Sequence, residues 1–405
     1  MSRRVLLHVG TPKTGTSHLQ DVLFRNRGRL LEHGVLYRAD RFDAHFLAAL
    51  DLLQLRWGGL EEECVGEWDK LASGVRDHSG TSIISHEILA TASHAQATRA
   101  LESLGHPGTE VHLVLSVRDL VRQIPAEWQE NVKHRRELGF GEFLRQLRDP
   151  SRSQGVAPWF WGVQEVPDIL DRWARELPPE RVHLVTVPPP GGAPDVLWQR
   201  FSRTFGLDGL DLDLAAERAN PSLGVPETAL LRRLNARANK VVPPPVYRPL
   251  VRELLAHQTL SQRVASPRLT LPPDVHEWAE ALEESWVATL RERGYDVVGD
   301  LDELTGAPAV TADAYVDPDH PDEAQVADAA LDAITALVVE NGRLVRAEAD
   351  LAARLADTEQ ALERSYLRPT YRFREKVVRA LRRNRAGLLA LRVYRRLRGR
   401  SSRSA

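Results

Sequence analysis

Eight residues near the start of the chain, Gly10 to Ser17 (GTPKTGTS), have the types and spacing of an anion cradle. A glycine-rich turn that feeds a helix aims several backbone N–H groups at one point. The helix dipole adds partial positive charge there, and together they bind phosphate or sulfate. The spacing is nearly that of the Walker loop, G-x-x-x-x-G-K-[S/T]. Gly10, Gly15 and Ser17 are in place, but Thr16 stands at the lysine position and Lys13 lies inside the loop. An ammonium at Lys13 would lie over the loop rather than follow the helix. That suits a compact anion with one reactive oxygen bridge better than a triphosphate, whose site also needs magnesium and an acidic strand end. Two more groups could do chemistry: Ser85-His86-Glu87 and Arg118-Asp119, each closing an apolar run. They also have ordinary structural uses. His86 or Glu87 can cap a following helix, Asp119 can be an N-cap, and Arg118 can pair with Asp119.

Strands are needed to bring these groups together. RVLLHV (4–9) reads as a short buried strand, TSIISHE (81–87) as a second, EVHLVLSVR (110–118) as a third and RVHLVTVP (181–188) as a fourth. The third is apolar enough to be buried on both faces. After the loop, Leu19, Val22, Leu23, Leu30 and Leu31 follow helical spacing up to Gly34. Further helical patterns fall at 95–104, 139–148, 163–177, 194–206, 225–258 and 274–294, with proline-marked turns between the later ones. Strands alternating with helices predict an α/β fold, a parallel β-sheet flanked by helices. In such sheets ligands bind beyond the carboxyl ends of the strands, where the loop, His86-Glu87 and Arg118 would meet.

At this point a resemblance enters. PKTGTS after a strand resembles the 5′-phosphosulfate-binding loop of the sulfotransferase family, and the arginine of LVLSVRD resembles that family's 3′-phosphate-binding arginine. VRDLVRQIPAEWQ looks like a bacterial branch of it. Only these two motifs are specific, although the likeness extends over roughly residues 4–300. It implies a P-loop NTPase-like sulfotransferase fold. It also implies transfer of a sulfuryl group from 3′-phosphoadenosine 5′-phosphosulfate (PAPS), without a metal, to a hydroxyl of a carbohydrate, lipid or secondary metabolite. Pro12, Lys13, Thr14, Gly15, Thr16, Ser17 and Arg118 would hold the nucleotide. Lys13 would stabilise the leaving phosphate, and Glu87 or His86, with Glu87 favoured, would be the base. Strand alternation would send those two side chains to opposite faces. One departure stands out: the family's serine eight residues after the arginine is Ala126 here. Arg122, Gln123 or Gln129 could replace that donor, and Pro125 could start a helix and alter the register. The alternatives are a catalytically degenerate binding or scaffold protein and a P-loop kinase, the latter opposed by Thr16. Arg263 and Arg268 fall where the family often places a second 3′-phosphate contact, without a clear motif. Trp128, Trp159, Trp161 and Trp173 are expected to pack, with a sugar-stacking wall at 159–161 as the lesser reading.

The 405 residues, 42% of them hydrophobic, can build a sizeable core, and the single cysteine, Cys64, fits a reducing compartment. Only five of the 54 basic residues are lysine, a bias expected of a high-GC bacterial genome. No apolar run is long enough to span a bilayer, so a cytoplasmic protein is expected. Domain boundaries are placed at 1–304 for the α/β domain, 305–323 for a linker, 324–364 for a long helix and 365–405 for a basic amphipathic tail. In the long helix Ile334, Leu337, Asn341, Leu344, Leu351, Leu355 and Leu362 follow three-four spacing, interrupted by Glu348 and Thr358. A homodimeric coiled coil through 324–364 is favoured over a helix folded back on its own domain. Residues 368–405 carry 14 Lys and Arg against Glu375, a net +13 in a chain of net −2. Contact of 368–400 with an anionic inner-membrane surface is the expected use, and no nucleic-acid partner is expected.

Overall fold

The computed structural model describes residues 3–193, 195–215, 222–367 and 369–382. Six strands are present: β1 (Arg4–His8), β2 (Val35–Leu36), β3 (Thr81–Ser85), β4 (Glu110–Val117), β5 (Val182–Thr186) and β6 (Asp296–Val298). They form one all-parallel sheet in the order β2-β3-β1-β4-β5-β6. The four strands expected from hydrophobic runs are the inner four. Val5, Leu6, Leu7, Ile83, Ile84, Val111, Leu113, Val114 and Leu115 are all buried, because helices cover both faces of a parallel sheet. The two edge strands went unseen: two or three residues show no periodicity.

Register fixes the site. Leu7 pairs with Ile84 and Leu113, and His8 with Ser85 and Val114, so β1 and β3 end together beside the loop while β4 runs on past it to Val117. Helix α1 (Thr16–Arg25) follows the loop and packs Leu19 and Leu23 against Leu6, Ile83, Phe201 and Phe205 on one face. Helix α2 (Leu120–Lys133) follows β4. Asp119 caps it, accepting from Arg122 N at 2.8 Å, so the helix starts well before Pro125 rather than at it. The 163–177 pattern becomes two helices, Ala157–Gln164 and Val166–Trp173, divided ahead of Pro167. The 225–258 pattern also divides. Helix α3 (Val225–Ala238) stops ahead of the prolines, and Arg248–Thr259 is π-helical. Helix α4 (Pro273–Arg293) ends on Gly294 in the left-handed region, φ 65°.

By internal contacts the chain divides into two units, one ending at Ala333 and one beginning at Ile334. Residues 305–323 belong to the first. The Asp319 carboxylate accepts from Phe140 N and Gly141 N at 3.0 and 2.8 Å, at the start of the helix Phe140–Leu147. Helix α5 (Glu323–Leu367) begins in this unit with Val326, Ala329 and Ala333 buried. The second unit is helical, through Leu367 and then over Pro369–Leu381. Ile334, Leu337, Leu344, Leu351, Leu355 and Leu362 are exposed. Residue 368 and residues 383–405 of the basic tail lie outside the described residues. Among the described residues no helix is long and apolar enough to cross a membrane.

Two buried histidines tie the strand ends together. His8 lies between Ser85 Oγ, 2.8 Å from Nδ1, and Ser116 Oγ, 3.0 Å from Nε2. His45 accepts from Ser85 N at 3.2 Å through Nδ1 and lies 3.1 Å from Arg38 O through Nε2, the arrangement of a neutral ring. Burial pushes both down to about 4 from an ordinary 6.5. Between those values the unfolded chain binds more protons. Stability is therefore full above pH 6.5 and is lost as pH falls toward 4, by on the order of 3 kcal/mol per histidine. Thermal unfolding across this window should show the loss, and His45→Gln should flatten the slope.

Candidate functional site

The loop continues the pairing of β1 with β4. Ser116 N donates to Gly10 O at 2.6 Å and Thr11 N to Ser116 O at 2.8 Å. Ser116 Oγ also donates to Gly10 O, at 2.8 Å. Thr14 turns its hydroxyl inward, 2.6 Å from Thr11 O and 2.5 Å from Ser116 Oγ. Lys13 and Gly15 adopt left-handed backbone, φ 65° and 84°, and Gly15 caps α1. A Cβ on Gly15 would come within 2.6 Å of a Leu197 methyl, which would have to shift, and its positive φ strains any residue but glycine. Side chains at the end of β4 and in α2 hold the loop carbonyls. Gln123 Nε2 donates to Pro12 O at 2.8 Å and Arg118 Nη1 to Lys13 O at 3.3 Å. With those carbonyls held, the N–H groups of Lys13 through His18 have no acceptor among the described residues. A run of free donors at a helix N-terminus is the arrangement an anion would need.

Lys13 is the loop's cation, and its Nζ lies 2.6 Å from Glu130 Oε2 on α2. Arg118 is largely buried, and burial first, then the nearby Arg122, push it down to about 10 against the pull of Asp119. It makes no ion pair among the described residues, and its Nε is buried without a partner. Asp119 instead pairs with Arg122, which also donates to Pro188 O at 3.0 Å. Of the donors considered as replacements at Ala126, Arg122 is thus engaged and Gln129 is tied to Leu223 N and O. Gln123 keeps Oε1 unpartnered while its amide nitrogen holds Pro12 O.

The expected alternation of His86 and Glu87 does not occur, because β3 ends at Ser85 and a 3-10 turn begins at Glu87. His86 caps that turn. Its Nδ1 accepts from Ile88 N at 3.3 Å and its ring stacks on Phe46, with centroids 5.1 Å apart. Burial lowers its pKa against the pull of Glu87. A neutral ring that accepts on Nδ1 carries its proton on Nε2, which makes the free nitrogen a donor and not a base. Glu87 lies beside α1, with Oε2 2.9 Å from Gln20 Nε2. Burial would raise its carboxyl, but His86, its own backbone N–H, Gln20 and His8 hold it below the ordinary value. It is ionised at neutral pH and placed to accept a proton.

Comparison with family models, with curated proteins and with solved structures returns no match.

Several residues belong here that the motifs did not indicate. Glu127 is buried with Oε2 unpartnered, and burial pushes its carboxyl up to about 7. Lys13 pulls it down, while Glu130 and Glu87 push it further up. Gln123, Glu127, Glu130 and His134 recur at helical spacing, so one face of α2 is a polar stripe turned toward the loop. That stripe was legible as periodicity, with the sign opposite to the usual apolar one. Arg263 is spent on Glu227 and Asp328, both at 2.7 Å, and is no nucleotide contact in this arrangement. Trp128, Trp161 and Trp173 are packed, each donating its indole N–H to a carbonyl, while half-buried Trp159 leans on Trp57.

A carboxyl raised to about 7 has a checkable sign. The folded chain binds Glu127's proton more tightly than the unfolded chain does, so its contribution is full below pH 4.5 and lost as pH rises through 7. Glu127→Gln should therefore stabilise the fold more at pH 8 than at pH 5, by up to about 3 kcal/mol, read from thermal unfolding at the two pH values.

Proposed function

We propose that this protein is a PAPS-dependent sulfotransferase with a P-loop NTPase-like sulfotransferase fold, acting on a hydroxyl of a carbohydrate, lipid or secondary metabolite. The observation that carries the reading is the run of N–H groups from Lys13 to His18 with no acceptor among the described residues, at the end of the central strand. Lys13 to Ser17 would cradle the 5′-phosphosulfate through backbone donors, with Pro12 shaping the turn before them, since the hydroxyl of Thr14 is turned inward and Thr16 is buried. Arg118, with no carboxylate pairing it, would take the 3′-phosphate. In the transfer, the acceptor oxygen forms a bond to sulfur as the bridging S–O bond breaks. The leaving phosphate departs as adenosine 3′,5′-bisphosphate, and the acceptor proton passes to Glu87. Negative charge grows on the bridging oxygen, where Lys13 and the loop N–H groups would stabilise it. A loose in-line transition state is assumed by analogy with phosphoryl transfer. His86 would orient the acceptor by donating from Nε2. Thr16 at the Walker lysine position opposes a kinase.

A second reading has specific support. Ala126 lacks the family's hydroxyl, and Lys13 is paired with Glu130. Both suit a degenerate fold kept as a binding or scaffold module.

Calorimetric titration with adenosine 3′,5′-bisphosphate, without magnesium and against ATP, separates these readings. Micromolar binding lost in Arg118→Ala, with ATP weak, is the expected result. Lys13→Ala should then lower turnover roughly 10²- to 10³-fold. Glu87→Gln should remove turnover while leaving nucleotide binding intact. Absence of nucleotide binding would favour the scaffold reading, and tight magnesium-dependent ATP binding would favour the kinase.

A further inference from the structure

Beside Lys13, cations gather around a single carboxylate. Glu130 receives Lys13 Nζ on Oε2 at 2.6 Å, and Arg252 Nη2 and His134 Nε2 on Oε1, both at 3.1 Å. Lys133 is buried in the same cluster; burial, with the repulsion of Lys13 and Arg252, pushes its ammonium down to about 8 against the pull of Glu130. His257 is lowered by burial and by Lys133 and Arg252, with Glu253 and Glu130 acting the other way. Glu253 lies 3.4 Å from His257 Nδ1 and 3.9 Å from Arg248. Lys13, Lys133 and Arg252 thus stand as three cations around Glu130, while neighbouring Glu127 is only partly ionised near pH 7. Arg252 Nε and His257 Nε2 are buried and have no hydrogen-bond partner among the described residues. Both residues lie on the π-helical segment Arg248–Thr259, a winding found frequently at functional sites.

A cluster that among the described residues gathers more positive than negative charge, and that leaves Arg252 Nε and His257 Nε2 unsatisfied, is costly unless an anion completes it. We propose that Lys133, Arg252 and His257, beside Lys13, bind an anionic group of the acceptor (a carboxylate, sulfate or phosphate), so that the acceptor is an acidic hydroxyl compound rather than a neutral one. The word acceptor rests on the sulfotransferase reading; the anion site itself does not. The cluster adjoins the loop through Lys13, which would then face the transferred group on one side and this anion on the other. Glu130 would hold the three cations at fixed spacing.

Inorganic phosphate is the probe, titrated calorimetrically into the full chain with and without saturating adenosine 3′,5′-bisphosphate. The expected result is a phosphate site that persists with nucleotide bound. It should weaken at least tenfold in Arg252→Gln and in Lys133→Gln, with nucleotide affinity changed less than twofold. Arg252 is partly exposed, so its variant keeps the test valid if Lys133→Gln does not fold. A phosphate site that disappears on adding nucleotide, or that survives both substitutions unchanged, overturns the proposal. Failure of the sulfotransferase reading looks different: nucleotide would not bind, while the phosphate site sensitive to Arg252→Gln would remain.

Discussion

The site depends on a buried polar contact under the loop, where His8 of the central strand meets Ser85 on one side and Ser116 on the other. Ser116 holds Gly10 O and lies against Thr14, so three parallel strands and both ends of the loop converge on two hydroxyls and one neutral ring. Every member is buried. In that dry setting an unmet hydrogen bond costs about 1–3 kcal/mol, so the satisfied set specifies one arrangement of the loop over its neighbours. The hydrophobic core holds the sheet together, but it is this polar floor that sets where the loop turns.

Above the floor, carbonyls and N–H groups are sorted. Gln123 and Arg118 hold the carbonyls of Pro12 and Lys13, which leaves the following N–H groups as the loop's free donors among the described residues. The sorting is done by residues outside the glycine loop, and Asp119 and Glu283 hold α2 for it. Glu283, a buried carboxyl raised well above its ordinary range by burial, accepts from Leu120 N. The arrangement of the loop is thus built from β4, α2 and α4 as much as from the loop itself, and Lys13 is paired with Glu130 on α2.

Much of this was legible in the sequence, and the exceptions have physical reasons. Long apolar runs identify buried parallel strands, so the inner four were found, while Val35–Leu36 and Asp296–Val298 were too short to carry a pattern. Glycine spacing after a strand identified the loop because few other structures need it. The capping role of His86 was among the roles open to it. What decided between it and Glu87 was which ring nitrogen accepts a hydrogen bond, and spacing does not encode that. Glu127, Glu130 and Lys133 escaped notice because a polar face on a helix ordinarily means solvent, and here it faces the interior. Arg252 and His257 could not be joined to Lys13 by any local pattern, since they lie over two hundred residues away in the chain. The extent of the first unit was hidden too, as residues 305–323 have the composition of a linker but are held by single contacts such as Asp319 to Phe140 and Gly141.

The backbone of Lys13 is left-handed, at φ 65°. For a side chain with a Cβ that conformation costs on the order of 1 kcal/mol, and glycine would adopt it freely. The loop already places glycine at two nearby positions of positive φ where a Cβ would be crowded, Gly10 and Gly15. At residue 13 it keeps instead a long, charged side chain in the one conformation that disfavours it. Folding alone would choose glycine there. On the proposed reading the residue is a point where stability and function compete within a single dihedral angle, the charge of Lys13 set against the freedom glycine would have there.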